Sequence, residues 1–298
     1  AAASDIVPVA CIGRAPFSPG DSPQALLKLA DEALARAENQ PTPGWVCLEQ
    51  GVAAVAADSQ HAWHERLDQA FNNGHFELFF QPVVGCASLQ RVLHHKVISR
   101  LHDGQGEALP AGRFLPWLER FGWMPRLDVL VLEKVLAHLR GHDQVLAVNL
   151  SAATLADPRA LHRVFELLGQ NAALGPRLVF EIGEEQLPEQ AALEQLTRRL
   201  HGLGFGLALQ RFGGRFSMIG NLAHLGLAYL KIDGSYIRNI DHEQHKRLFI
   251  EAIQRAAHSI DLPLIAERVE TEGERRVLLE MGLGGIQGQL VGEPAPWR

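Results

Sequence analysis

From position 76 onward, apolar and polar positions switch between two rhythms. Short apolar runs that read as strands fall at 76–84, 91–101, 145–150, 177–182, 207–209, 229–232, 262–269 and 284–288. Between them the apolar positions recur at helical spacing, over 111–121, 126–139, 158–169, 188–203, 242–258 and 271–282. About eight strands alternating with helices over roughly 220 residues predict an α/β fold, a TIM-like (β/α)8 barrel. An open doubly wound sheet is the alternative, but no GxGxxG follows any strand. Polar residues sit where strands end: Gln210 and Arg211 after one run, Lys231 and Asp233 within the next. A barrel assembles its site from such strand ends.

The first 74 residues have a different rhythm. A strand is expected at 6–13, a Pro/Gly/Ser/Asp loop at 16–23, then a helix over 23–38 capped by Ser22 with Pro23 in its first turn. Leu26, Leu27, Leu29, Ala30 and Leu34 are expected on one face of that helix, and a short strand at 44–48 follows. So small a strand–helix–strand piece cannot bury a core alone. Trp63, Leu67, Ala70 and Phe71 recur at helical spacing, and Asn72-Asn73-Gly74 ends that helix. Three segments result: 1–57, a connecting helix over 58–74, and the barrel over 75–298.

Composition narrows the function. The 298 residues are 47% hydrophobic and carry a net charge of −6, so a core is available and a global basic surface for DNA or RNA is not. Cys11, Cys47 and Cys86 lack metal-site spacing and read as reduced, buried thiols. No apolar run approaches the ~20 residues needed to span a bilayer, so a cytoplasmic chain is expected, with membrane attachment only through segments outside it. Adjacent His94 and His95 point to opposite strand faces and read as packed or solvated rather than as metal ligands.

Six motifs occur in one order: FFQPVV at 79–84, AVNLS at 147–151, VFEI at 179–182, YLKID at 229–233, IAERVET at 265–271, and QG at 287–288 with Pro294 beyond. Over 71–298 they resemble the EAL phosphodiesterase family, whose corresponding strings are YYQPIV, VNLS, LEIT, YLKID, IAEGVET and QG. The resemblance implies a barrel that hydrolyses one phosphodiester of cyclic di-GMP with two Mg²⁺ or Mn²⁺ ions. Such ions require oxygen ligands and several negative charges nearby. The family's Glu-Ala-Leu falls on Lys96-Val97-Ile98 and its Asp-Asp pair on Gln210-Arg211, so three carboxylates become two cations and an amide.

What the resemblance implies for binding is better kept. Asn149, Glu181, Asp233, Glu267, Glu270 and Lys231 stand at family positions. Arg100 matches a phosphate-contacting Arg, for which a structural ion-pair partner is the other reading; Gln81 and Gln287 match polar contacts, and Pro294 a residue that packs on guanine. Lys96 or Arg211 would neutralise the ligand's phosphates in place of metal. The expected function is a catalytically inactive EAL receptor for cyclic di-GMP, needing no metal cofactor and similar to inner-membrane receptors of biofilm and adhesion control. A homodimer through the EAL domain is open. The rivals are a residual phosphodiesterase built on Glu181, Asn149, Glu267 and Asp233, and an interaction module without ligand. CIGRAPF and LLKLADEALARAEN, within 1–57, resemble the last third of a GGDEF domain, whose signature would lie before residue 1.

Overall fold

A computed structural model describes residues 11–16, 23–38, 45–47, 52–102, 108–215 and 218–297. They form two compact units, one within 1–73 and one within 74–298.

In the first unit, β1 (Ile12–Arg14) pairs parallel with β2 (Trp45–Cys47), and α1 (Pro23–Glu38) packs on both strands. Gly13 allows the close approach: a Cβ there would come within 2.3 Å of the Leu34 backbone nitrogen. The buried face of α1 is set by Ala33 and Ala37, and Leu27, expected on that face, is 67% exposed. At 100° per residue Leu27 lies a quarter-turn off the line through Leu26, Ala30, Ala33 and Ala37. The Ser22 cap and the strand at 6–10 lie outside the described residues. Helix α2 (Val52–Asn73) closes this unit and begins earlier than the spacing indicated.

The second unit is the barrel. Strands β3 (Phe76–Gly85), β4 (Ser88–His102), β6 (Leu146–Asn149), β7 (Leu178–Gly183), β8 (Gly206–Phe212), β9 (Leu230–Ile232), β10 (Leu264–Ala266) and β11 (Gly285–Ile286) form one sheet. It closes because β3 pairs with both β11 and β4; the short β5 (Ala108–Pro110) adds to the outer part of β4. The ring is not a strict (β/α)8 barrel, because β3 runs antiparallel to both neighbours. Only Cys86 and Ala87 separate β3 from β4, enough for a hairpin and far too short for a helical crossover. Cys86 is free and buried, whereas Cys11 is free and only half-buried.

Helices wrap the later strands: α3 (Ala111–Arg120), α4 (Met124–Leu139), α5 (Ala152–Ala156), α6 (Pro158–Gln170), α7 (Gln190–Gly202), α8 (Ile219–Leu222), α9 (Gly234–Ile237), α10 (Gln244–His258) and α11 (Glu272–Glu280). The core between strands and helices holds Val148, Phe180, Leu207, Leu230 and Ile253, all nearly inaccessible. Among the described residues, no helix is long and apolar enough to cross a membrane.

Strand alternation divides the barrel interior into layers. The lower layer is apolar, with Val83, Ala208, Tyr229 and Ile265 in one cluster. Two residues along each of those strands the inward positions turn polar: Gln81 on β3, Gln210 on β8, Lys231 on β9 and Glu267 just past β10.

Candidate functional site

At the end of the barrel where the parallel strands β6 to β11 finish, each of the barrel's strands contributes one polar side chain: Gln81, Lys96, Asn149, Glu181, Gln210, Lys231, Glu267 and Gln287. Most are joined in one network. The Lys96 ammonium donates to Asn149 Oδ1, to Glu181 Oε2 and, at 3.3 Å, to Gln210 Oε1. Those acceptors use all three of its N–H donors. Lys231 Nζ lies 2.6 Å from Glu181 Oε1 and donates to Gln287 Oε1 at 2.8 Å. Gln287 donates to Gln81 Oε1 at 2.7 Å, and Gln81 to the Gly292 carbonyl at 3.0 Å. Tyr229 OH completes the acceptance at Glu181, donating to Oε1 at 2.7 Å.

The electrostatics follow from burial. Glu181 and Lys231 have no accessible surface, and Lys96 is 6% exposed. Burial alone would raise the Glu181 pKa, but the ammonium groups of Lys231 and Lys96 overcome it and hold the carboxyl far below its ordinary value. Burial lowers the Lys96 pKa, with Glu181 opposing. Glu267 faces the cavity, yet desolvation still raises its pKa against the pull of Lys231. Two ammonium groups against two carboxylates leave the buried ring close to neutral. Lys96 already takes Asn149 Oδ1 and Glu181 Oε2, Lys231 and Tyr229 take Glu181 Oε1, and the described residues hold no cluster of three or more acidic, His or Cys groups that would bind a metal. This donor set does not fit a pair of divalent ions.

Above the ring lies a cavity of about 710 Å³, a size typical of small-ligand sites. Gln81, Asn149, Arg211, Glu267, Glu270 and Gln287 line it, as the sequence grouped them. Other expected site residues are placed differently. Lys96, expected to face a phosphate, lies beneath the floor with its donors satisfied, and Glu181 and Lys231 lie beside it. Arg100 is on the same face of β4 as Lys96, but beyond the barrel; its guanidinium lies 5.6 Å from the Phe79 ring and outside the cavity wall. Asp233 caps α9, accepting from Ser235 N at 2.8 Å. Burial opposes its charge, but the Ser235 hydrogen bonds with Arg268 and Arg211 hold its pKa below the usual value. Pro294 sits in a tail that pairs with β3 through Phe80 and Ala295.

Local chemistry fixes the loops around the cavity. Thr271 and Glu274 form a capping box at α11, and Glu274 also accepts from the Glu270 amide at 2.8 Å. Glu184 Oε2 accepts from Gly213 N at 2.7 Å and Gly214 N at 3.1 Å, which holds the loop after β8. Asp128 of α4 accepts from Ser151 N and Oγ at 2.8 and 2.6 Å, tying that helix to the end of β6. Sequence reasoning missed Tyr229 and Arg268. Tyr229 precedes Lys231 by two and so shares its face; Arg268 was visible as the single departure in IAERVET.

His94 and His95 do face opposite ways. His95 meets Trp297 edge-on at 5.0 Å, while His94 is buried in the barrel, stacked on Tyr229 at 4.9 Å. Among the described residues, His94 Nε2 has no hydrogen-bond partner. Burial first, then the Lys231 charge, lowers its pKa from 6.5 to about 3. Because the folded pKa lies below the unfolded one, folding favours neutral His94. That contribution is complete above about pH 6.5 and is lost as pH falls toward 3. Between pH 6.5 and 5 the loss should reach about 2 kcal/mol. Urea melts at pH 7 and pH 5 check this: His94→Phe should lose less stability on acidification than wild type by about that amount. Equal losses would show that His94 is not the group responsible.

A closed α/β barrel with a polar ring at its strand ends, opening into a ligand-sized cavity, defines a small-molecule site of the barrel type. The chain belongs to the EAL domain family, whose model matches residues 64–294. It is 29% identical over 296 residues to the Pseudomonas aeruginosa bifunctional diguanylate cyclase/cyclic di-GMP phosphodiesterase MucR, with 96% of this chain and 43% of that one covered. The chain spans less than half the length of the first curated relatives it matches. Among solved structures, the FimX EAL domain from Pseudomonas aeruginosa bound to c-di-GMP superposes with a TM-score of 0.70 at 27% identity, covering 78% of this chain and 96% of that one. Vibrio cholerae LapD S helix-GGDEF-EAL, bound to c-di-GMP, has a TM-score of 0.76 at 23% identity, covering 93% and 68%; that likeness is one of fold.

Proposed function

We propose that this chain is a receptor for cyclic di-GMP that binds the nucleotide without hydrolysing it. The observation that carries this reading is the Lys96 ammonium, which is held between Asn149 and Glu181, two oxygen donors that a hydrolytic metal centre would need. A divalent ion placed there would have to displace that ammonium from both oxygens. The cavity keeps what recognition needs. Gln81, Asn149 and Gln287 offer amides, Glu267 and Glu270 accept N–H donors of a base edge, and Arg211 supplies a cation for a phosphate.

The first unit is read as the remnant of a GGDEF-like domain, supported by its parallel strand–helix–strand form. Nucleotide binding would then shift the arrangement of the domains or the dimerisation of EAL domains, and that shift would be the output.

Calorimetric titration with cyclic di-GMP, in EDTA and in Mg²⁺, should give the same affinity in both. Chromatography of the same samples should show no linear product above a protein-free control. Product that EDTA abolishes would establish a phosphodiesterase, and absence of binding in both buffers would leave an interaction module.

A further inference from the structure

Two arginines at the cavity have left-handed backbones, Arg211 with φ 54° and Arg268 with φ 56°. A non-glycine residue is strained there, and such strain persists where the surroundings over-determine it. Both line the cavity, Arg211 from the end of β8 and Arg268 from just beyond β10. Asp233, at the end of β9, lies between them. Each arginine rests over a glycine that makes room for it. A Cβ at Gly183 would come within 2.6 Å of Arg211 Nη2, and a Cβ at Gly234 within 2.6 Å of Arg268 Cδ. The two backbones are two strand spacings apart, about 10 Å, a gap that two guanidinium arms can close on one phosphate.

Both arginines are exposed residues, and among the described residues neither has a carboxylate within ion-pair distance. Asp233 feels the charge of both, and it is already engaged by Ser235. Glu119, Glu267 and Glu270 also line the cavity, the last two on the same segment as Arg268, and can accept from the N–H donors of a base edge.

We infer that Arg211 and Arg268 form a two-armed guanidinium clamp on a phosphodiester, so that charge fixed to the chain does what dissociable cations would otherwise do. The clamp rests on the receptor reading above, and it adds Arg268 as a ligand-binding residue that sets affinity. Forked N–H donors on a phosphate are strong, oriented contacts.

The test uses the whole chain, cyclic di-GMP as the probe, and the variants Arg268→Gly and Arg268→Lys. Glycine relieves the backbone strain, so Arg268→Gly should melt no lower than wild type while binding about ten-fold or more weakly. Arg268→Lys keeps a charge and should recover part of the affinity. Affinity should also fall less steeply with salt in Arg268→Gly than in wild type. Unchanged affinity in Arg268→Gly would overturn the clamp while leaving the receptor reading intact. Equal loss in both variants together with a lower melting temperature would mean a damaged loop and would overturn it too. If wild type itself does not bind cyclic di-GMP, the reading and the clamp fall together.

Discussion

Replacing Glu181 with alanine should destabilise the barrel by about 3–5 kcal/mol, the usual cost of removing one partner from a buried ion pair. Its carboxylate is the anion shared by two buried ammonium groups, Lys96 and Lys231, and it accepts from Tyr229 as well. Without it, both lysines face each other in a dry interior, and the tyrosine hydroxyl loses its acceptor. Lys96→Met is the informative contrast: it removes one cation and leaves the Lys231–Glu181 pair intact, so it should cost far less. Urea melts of the two variants measure the difference directly. A Glu181→Ala midpoint close to wild type would mean that the lysines shed their protons on folding, and that the network is not ionic.

The same residues show how far the sequence could be read. Period-two alternation along YLKID puts Tyr229, Lys231 and Asp233 on one face, so that the inward setting of Lys231 was legible. The closure of the barrel was not. Apolar runs do not carry strand direction, and the antiparallel β3 is recorded only in the two-residue gap at Cys86 and Ala87. Lys96 was visible as a charge reversal, but its partner depends on strand order: β4, β6 and β7 lie side by side, which brings Asn149 and Glu181 to its ammonium rather than a phosphate. Arg268 was visible as a changed letter, whereas its left-handed backbone and its seat over Gly234 belong to tertiary structure.

Restoring three carboxylates should make binding depend on metal. In wild type, an ion placed at Asn149 and Glu181 would have to displace the Lys96 ammonium, which donates to both. At about 4 Å and an effective dielectric of 20, one unit charge opposes another by about 4 kcal/mol, and a divalent ion doubles that figure. Lys96→Glu with Gln210→Asp and Arg211→Asp changes the local charge by five units, from two cations to three anions. The variant's cavity then repels the phosphates of cyclic di-GMP unless cations intervene. Its affinity should be weaker than wild type in EDTA by about ten-fold or more and should recover with Mg²⁺ or Mn²⁺. Calorimetry in the two buffers reads the effect, and circular dichroism checks that the triple variant keeps its fold. Equal binding by the variant with and without metal would break the link between these charges and metal demand. A wild type that binds only with a divalent ion would show that Asn149, Glu181, Glu267 and Asp233 can release Lys96 and gather around the ion. In that case the cation built into the barrel is a gate to the metal site rather than its replacement.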